Sequence, residues 1–312
     1  MIAWPAAATV VEVGPRDGLQ SFPRWVDTAV KVRMIDRLSD AGFPVIEAVS
    51  FASPKFIPNL RDAEEVMARV RKRPGAVYRG LVPNRRGAER AVGTGVDELA
   101  GLITASATYT RKNQNMTMDA AVEQAIGAFQ VADGAGLGFV MGIGMAMWCP
   151  YEGVIAEETV LAIMRRLHEA GVRAFTLAGS MGMEDPRRVG RLFARAANAF
   201  PGVALGYHVH NMSGMATANI LAALDAGVTM LEGSICGLGG GMATRAVGNL
   251  PTEDIVQMLN ESGIATGVAT DGAIAAAKDV AAMLDVPLQS NAAVYGSRGM
   301  VLAASAAGAA AH

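Results

Sequence analysis

Cysteine is nearly absent from this 312-residue chain, and a disulfide framework is excluded with it. The two thiols, Cys149 and Cys236, lie far apart and form no CxxC or zinc-like spacing, which fits a reducing cytoplasm better than an exported protein. A surplus of one charge is missing as well. With 27 Lys+Arg against 29 Asp+Glu and a net charge of −2, no basic excess points to nucleic acid or to an acidic membrane. No uncharged apolar run reaches the roughly 18 residues of a membrane span. The opening Met1-Ile2-Ala3-Trp4-Pro5 lacks the basic patch and apolar core of a signal peptide. No linker rich in Pro or Ser divides the chain, so one domain over 1–312 is expected. No GxGxxG follows the first strand, which disfavours a Rossmann-like sheet. Small-molecule chemistry is what these absences leave.

What is present is a repeated phrase: a helix-period segment, a glycine at its C-terminal stop, then an apolar strand. It recurs at Gly42 before Val45-Ile46, Gly75 before Val77-Tyr78, Gly95 before Val96, and Gly136 before Phe139-Val140. Gly171 before Val172, Gly202 before Val203 and Gly227 before Val228 complete seven junctions. With an opening strand from Ala8 to Val13 the count of strands is eight. Met34, Ile35, Leu38 and Ala41 make one apolar helix stripe behind Asp27, a plausible N-cap. Strands alternating with helices at this spacing predict a parallel sheet, and eight units predict a (β/α)8 TIM barrel over about 8–262. A short C-terminal helical extension follows over about 263–312, with a helix near Asp271 to Leu284 and a frayed Ala/Gly tail.

Histidine is scarce too, at four, and two of the four stand in Tyr207-His208-Val209-His210-Asn211 at the end of a strand. Alternate strand residues share a face, so His208 and His210 point the same way, as a shared metal requires. His-x-His alone is also what two unrelated histidines would give. In a barrel, however, chemistry gathers at the C-terminal strand ends. Strand 1 ends in Gly14-Pro15-Arg16-Asp17-Gly18, strand 2 carries Glu47 and Ser50, and Asn249 follows the glycine-rich Gly237-Leu238-Gly239-Gly240-Gly241 after strand 8. Closure sets strand 8 beside strand 1 with strand 7 next, so Asp17, His208, His210 and Asn249 can meet. Two imidazoles, a carboxylate and an amide oxygen suit Mg²⁺ or Mn²⁺, whereas structural zinc prefers sulfur. Taken singly, Asp17 and Asn249 also read as turn residues.

The run Val11-Glu12-Val13-Gly14-Pro15-Arg16-Asp17-Gly18-Leu19-Gln20 resembles the signature of 3-hydroxy-3-methylglutaryl-CoA lyases, within the metal-dependent barrel lyases and Claisen-type synthases. So do Val45-Ile46-Glu47-Ala48-Val49-Ser50-Phe51 with Ser53-Pro54-Lys55, and Arg111-Lys112-Asn113. Cys149-Pro150-Tyr151-Glu152-Gly153 and Gly248-Asn249-Leu250 with Thr252-Glu253-Asp254 extend the likeness, which runs from about residue 9 to about 285. The resemblance implies a divalent-metal lyase that cleaves a 3-hydroxy acyl-CoA by a retro-Claisen step to acetyl-CoA and a keto acid, and it implies a homodimer. Carried over by position, Asp17, His208, His210 and Asn249 are the metal ligands, Arg16 stabilises the enolate oxygen, and Glu47 orients the site. Arg16 and Glu47 also read as a simple ion pair at the barrel mouth. Lys55, Lys112, Asn113, Ser180 and Gly241 complete the expected substrate-facing set, with Lys55, Arg111 and Lys112 as contacts to phosphate or carboxylate.

The chain departs from the family at four places. An Asp-Thr-x-Gly motif ends the family's strand 6, but here the text is Ala178-Gly179-Ser180-Met181-Gly182, with glycine in place of the carboxylate. Gly241 stands where the family has a reactive cysteine, Asn211 where it has Asp, and an apolar residue near Val140 where it has an arginine. Met141, Met145, Met147, Met181, Met212 and Met242, at or near strand ends, predict a more apolar pocket, ordinary barrel filling being the other reading for those on strand 5, and Cys236 reads as core inside strand 8. Two readings therefore stand beside the lyase: a metal-binding barrel that has lost catalysis, and an aldolase acting on a 4-hydroxy-2-oxo acid.

Overall fold

The apolar runs fall where buried parallel strands must: β1 Thr9–Glu12, β2 Val45–Ser50, β3 Val77–Val82, β4 Glu98–Thr104, β5 Gly138–Gly144, β6 Ala174–Gly179, β7 Ala204–Val209 and β8 Met230–Gly233. In the computed structural model, which describes residues 4–239 and 248–309, all eight pair in parallel. Their order, β1-β8-β7-β6-β5-β4-β3-β2, closes on itself. This is the (β/α)8 barrel expected from the repeat. Strand 8 lies beside strand 1, in register Thr9 to Met230 through Glu12 to Gly233. All seven junction glycines have positive φ, between 69° and 116°, the left-handed stop that hands each helix on to a strand.

The helices bury one stripe each. In Thr28–Asp40 the residues Met34, Ile35 and Leu38 are fully buried, and Asp27 holds the N-cap position without a side-chain capping bond. In Pro186–Ala199 the stripe is Val189, Leu192, Phe193 and Ala196, capped by the Asp185 side chain accepting from Arg188 N, with proline at the first turn. Its Phe193 meets the outward-facing Tyr207 of β7 edge-on, with centroids 5.5 Å apart. The extension is helical at Thr270–Leu284, Asn291–Tyr295 and Arg298–Ala309, the first packing on Thr28–Asp40 and Thr252–Glu261. Cys236 is buried as expected but stands outside β8. It belongs to the 3-10 turn Ile235–Gly237, at φ 59°, because β8 stops at Gly233. Among the described residues no helix is long and apolar enough to cross a membrane.

Candidate active site and metal centre

The period of two turns Glu47, Arg79, Thr176, His208 and Glu232 into the barrel interior, where with Arg16, Asp17 and His210 they line a cavity of about 280 Å³. Asp17 arrives on a five-residue turn, Gly14–Gly18, that has Pro15 second and winds tightly enough for Asp17 N to donate to Val13 O at 2.7 Å. His208 is the fifth residue of β7, and His210 follows it to bridge Asn249. Leu250 N, donating to Val209 O at 2.9 Å, returns the chain to β7 after the glycine-rich loop.

Four potential ligands are thereby gathered. His208 Nε2 and His210 Nε2 face each other at 3.1 Å, and Asp17 joins them so that one ligand atom from each lies within 4.8 Å of the others. Asn249 donates through Nδ2 to Asp17 Oδ2 at 2.7 Å and to Leu238 O at 3.0 Å. Its other end, Oδ1, is buried and has no hydrogen-bond partner among the described residues. A buried acceptor without a donor is costly, and a cation is the natural partner for it. Desolvation works against the Asp17 carboxylate, yet Arg16, His208, His210 and the Asn249 amide hold its pKa well below the usual range. Asp17 is thus ionised at neutral pH. An ionised carboxylate, an orphaned amide oxygen and two facing imidazole nitrogens fit a hard divalent cation.

Arg16 donates through Nε to Glu47 Oε1 in a very short contact, and through Nη1 to Asp17 Oδ1 at 2.5 Å. The sequence-level ion pair between Arg16 and Glu47 is present, and it points the guanidinium along the cavity wall beside the ligands. His208 Nδ1 lies 3.3 Å from Glu232 Oε2. Glu232 Oε1 accepts from Arg79 Nη1 at 2.8 Å and from Thr176 Oγ1 at 3.1 Å. Burial favours protonation of Glu232, but His208 and Arg79 outweigh it and keep the group anionic. Arg79 and Glu232 lie inside their strands and so outside the strand-end set. The signal for both was a lone charge in an apolar strand, Val77-Tyr78-Arg79-Gly80-Leu81-Val82 and Met230-Leu231-Glu232-Gly233.

The expected substrate-facing set divides. Asn113 and Ser180 line the cavity, although Ser180 Oγ accepts from Met145 N at 2.9 Å and so serves the backbone of the loop after the preceding strand, β5. Lys55 is exposed and lies off the cavity wall. Lys112 is also exposed and off the wall, its Nζ standing 4.7 Å from the centroid of the Tyr151 ring. Both sit on the outer side of their segments, which charge alone did not reveal. Gly241 and Met242 lie outside the described residues. Of the other methionines expected near strand ends, Met145 and Met181 line the cavity, and Val140 joins them.

The missing strand 6 carboxylate has a counterpart in space. A Cβ built on Gly179 would lie 1.7 Å from Glu184 Oε1 and 2.4 Å from its Cδ, so the Glu184 carboxyl fills the volume of a side chain at 179. Tyr207 Oη donates to Oε1 at 2.7 Å, Asn219 Nδ2 donates to the Glu184 carbonyl at 3.0 Å, and Oε2 is buried without a partner among the described residues. Burial raises the Glu184 pKa despite the tyrosine bond.

Behind the ligands lies a second acidic pair. Glu12 accepts from Gly14 N at 2.6 Å, Ile235 N at 3.0 Å and the Thr252 hydroxyl, while Glu253 accepts from Cys236 N at 3.2 Å. Glu12 pins the end of β1 to the turn after β8, and Glu253 ties that turn to the helix Thr252–Glu261. Burial pushes Glu12 up to about 7, and burial with the neighbouring Asp254 and Glu12 charges pushes Glu253 up to about 8. Between the unfolded value near 4.5 and these values, the folded state holds more protons than the unfolded one, so stability falls as pH rises through that window. Urea midpoints measured from pH 5 to 9 are expected to drop, and Glu253→Gln, which keeps an acceptor for Cys236 N, is expected to flatten the drop. A wild-type midpoint that rises with pH contradicts this.

Comparison with known proteins agrees with the geometry. The HMGL-like family model matches residues 7–280. The mitochondrial hydroxymethylglutaryl-CoA lyase of Mus musculus is 40% identical over 265 residues, covering 85% of this chain and 82% of that protein. The hydroxymethylglutaryl-CoA lyase YngG of Bacillus subtilis is 36% identical over 288 residues, covering 92% of this chain and 96% of its own. Among solved structures, an HMG-CoA lyase of Acinetobacter baumannii in complex with coenzyme A and 3-methylmalate superposes with a TM-score of 0.90 at 36% identity, covering 96% of this chain and 98% of that one. With barrel, strand-end residues and sequence all in accord over most of its length, the chain belongs to the HMGL-like family.

Proposed function

We propose that the protein is a divalent-metal-dependent carbon–carbon lyase that cleaves a 3-hydroxy acyl-CoA to acetyl-CoA and a keto acid, with Mg²⁺ or Mn²⁺ as its metal. The observation that carries this reading is the orphaned Asn249 Oδ1 beside the facing imidazoles and ionised Asp17. Asp17, His208, His210 and Asn249 would hold the cation. When bound there, a divalent cation would supply Lewis acidity, lowering the pKa of a substrate hydroxyl. Arg16, tied by Glu47 and Asp17, places a fixed positive charge on the cavity wall, where a thioester enolate oxygen gains its charge. Its pKa is raised by Glu47 and Asp17 against the opposing effect of burial, so it stays cationic throughout. Asn113 and Ser180 contact substrate at the cavity wall. Val140, Met145 and Met181 offer apolar surface, which favours a substrate with an apolar branch at its hydroxyl-bearing carbon. Two free, buried thiols fit a reducing compartment, and the reading places the protein in the cytoplasm as a homodimer.

The test is acetyl-CoA release from a panel of 3-hydroxy acyl-CoA thioesters. Turnover is expected with Mg²⁺ or Mn²⁺, with loss on EDTA treatment and recovery on adding the metal back. A protein that binds Mn²⁺ but turns over no member of the panel would fit a barrel that has lost catalysis. Pyruvate release from a 4-hydroxy-2-oxo acid would replace the acyl-CoA by a hydroxy acid substrate and make the enzyme an aldolase.

A further inference from the structure

Arg79 stands mid-strand on β3, 2% exposed, with its guanidinium in the barrel interior. Burying a guanidinium costs several kcal/mol unless its donors are met, and here carboxylates from three other strands meet them. Nε donates to Glu98 Oε2 at 2.6 Å, Nη1 donates to Glu232 Oε1 at 2.8 Å, and Nη1 lies 3.8 Å from Glu47 Oε2. Each of the last two carboxylates leads to the candidate ligands. Glu232 turns its second oxygen to His208 Nδ1, while Glu47 holds Arg16, which in turn holds Asp17. One buried cation therefore ties together both halves of the constellation.

We infer that Arg79 is a positioning residue of the metal centre: by holding Glu232 in place as acceptor for Nδ1–H of His208, it fixes the tautomer whose Nε2 lone pair faces His210. A histidine ligand presents one nitrogen to a metal only if its other nitrogen keeps the proton, and a carboxylate partner sets that choice. The carboxylate is itself useful only if something stops it from turning towards the cation, and the two-point hold by Arg79 and Thr176 on Glu232 Oε1 does so. Charge completes the picture. The guanidiniums of Arg16 and Arg79 face the carboxylates of Asp17, Glu47, Glu98 and Glu232, leaving two negative charges, which one divalent cation cancels.

The inference rests on His208 as a ligand, but its central claim is visible without metal. Arg79→Met separates two effects of opposite sign. Coulomb's law alone predicts tighter cation binding, because another carboxylate is uncovered; loss of positioning predicts weaker binding. In wild-type protein stripped of metal, ¹⁵N shifts of the labelled His208 ring are expected to show the Nδ1–H tautomer. In Arg79→Met they are expected to show a mixture, with Mn²⁺ affinity by calorimetry falling about 10- to 100-fold. Glu232→Ala, which leaves Arg79 paired with Glu98 and Glu47, guards against failure of the first variant to fold and is expected to give the same tautomer mixing. An unchanged tautomer in either folded variant, or tighter Mn²⁺ binding by Arg79→Met, overturns the inference. A wild-type protein that shows the tautomer but binds no Mn²⁺ refutes the metal reading and leaves the Arg79 tautomer lock standing.

Discussion

Arg16→Gln is expected to lower kcat for acyl-CoA cleavage about 100- to 1000-fold, the usual consequence of losing one fixed donor to a developing oxyanion, while Mn²⁺ affinity stays the same or rises. The two halves of this expectation come from the same contacts. Arg16 is held by Glu47 on one side and by Asp17 on the other, so its charge is immobile and costs no reorganisation when the enolate forms. The contact with Asp17 also draws charge away from a ligand. Removing the guanidinium leaves the Asp17 carboxylate with more of its negative charge for a cation. Glu47 is not orphaned, since Arg79 Nη1 lies 3.8 Å from its other oxygen, which limits the structural cost. Steady-state kinetics beside calorimetry with Mn²⁺ separates the effects. A collapse of metal affinity would make Arg16 a structural prop, and an unchanged kcat would remove it from the chemistry.

How far the residues could be read in advance depended on whether a local period governs them. The alternation in Tyr207-His208-Val209-His210 fixed a shared face, and the helix–glycine–strand phrase fixed the order of strands. Together these predicted the meeting of Asp17, His208, His210 and Asn249 across β1, β7 and the loop after β8. Arg79 and Glu232 obey the same alternation, but they lie mid-strand, below the strand ends where chemistry was sought. Lys55 and Lys112 carry their charge within a motif. Motif and charge do not say which side of a loop or helix faces the cavity, and both face away. The Glu184 carboxyl was illegible for a deeper reason: it lies five positions beyond Gly179, and only the fold of the loop after β6, with the Glu184 carbonyl held by Asn219, brings the side chain back into the space beside Gly179.

That return changes what restoring the family motif can achieve. Gly179→Asp alone puts a Cβ within 1.7 Å of Glu184 Oε1, so two carboxyls compete for one buried space. The expected cost is about 3 kcal/mol in urea unfolding, the sum of overpacking and a displaced buried carboxyl. Glu184→Ala alone strands the Tyr207 hydroxyl, which donates to Oε1 at 2.7 Å in a fully buried place, for about 1–3 kcal/mol. The double variant returns one carboxyl to the space and a partner to Tyr207, so its stability is expected to recover most of the loss, with a coupling near 2–3 kcal/mol. Additive costs would show that the two positions do not share the volume. Acetyl-CoA release across the same four proteins then reads the chemistry. If turnover follows the single carboxyl, present in wild type, lost in Glu184→Ala and regained in the double variant, a carboxyl in this space matters to the reaction whichever position supplies it. Gly179→Asp by itself could not have restored the family motif, because its place was already taken.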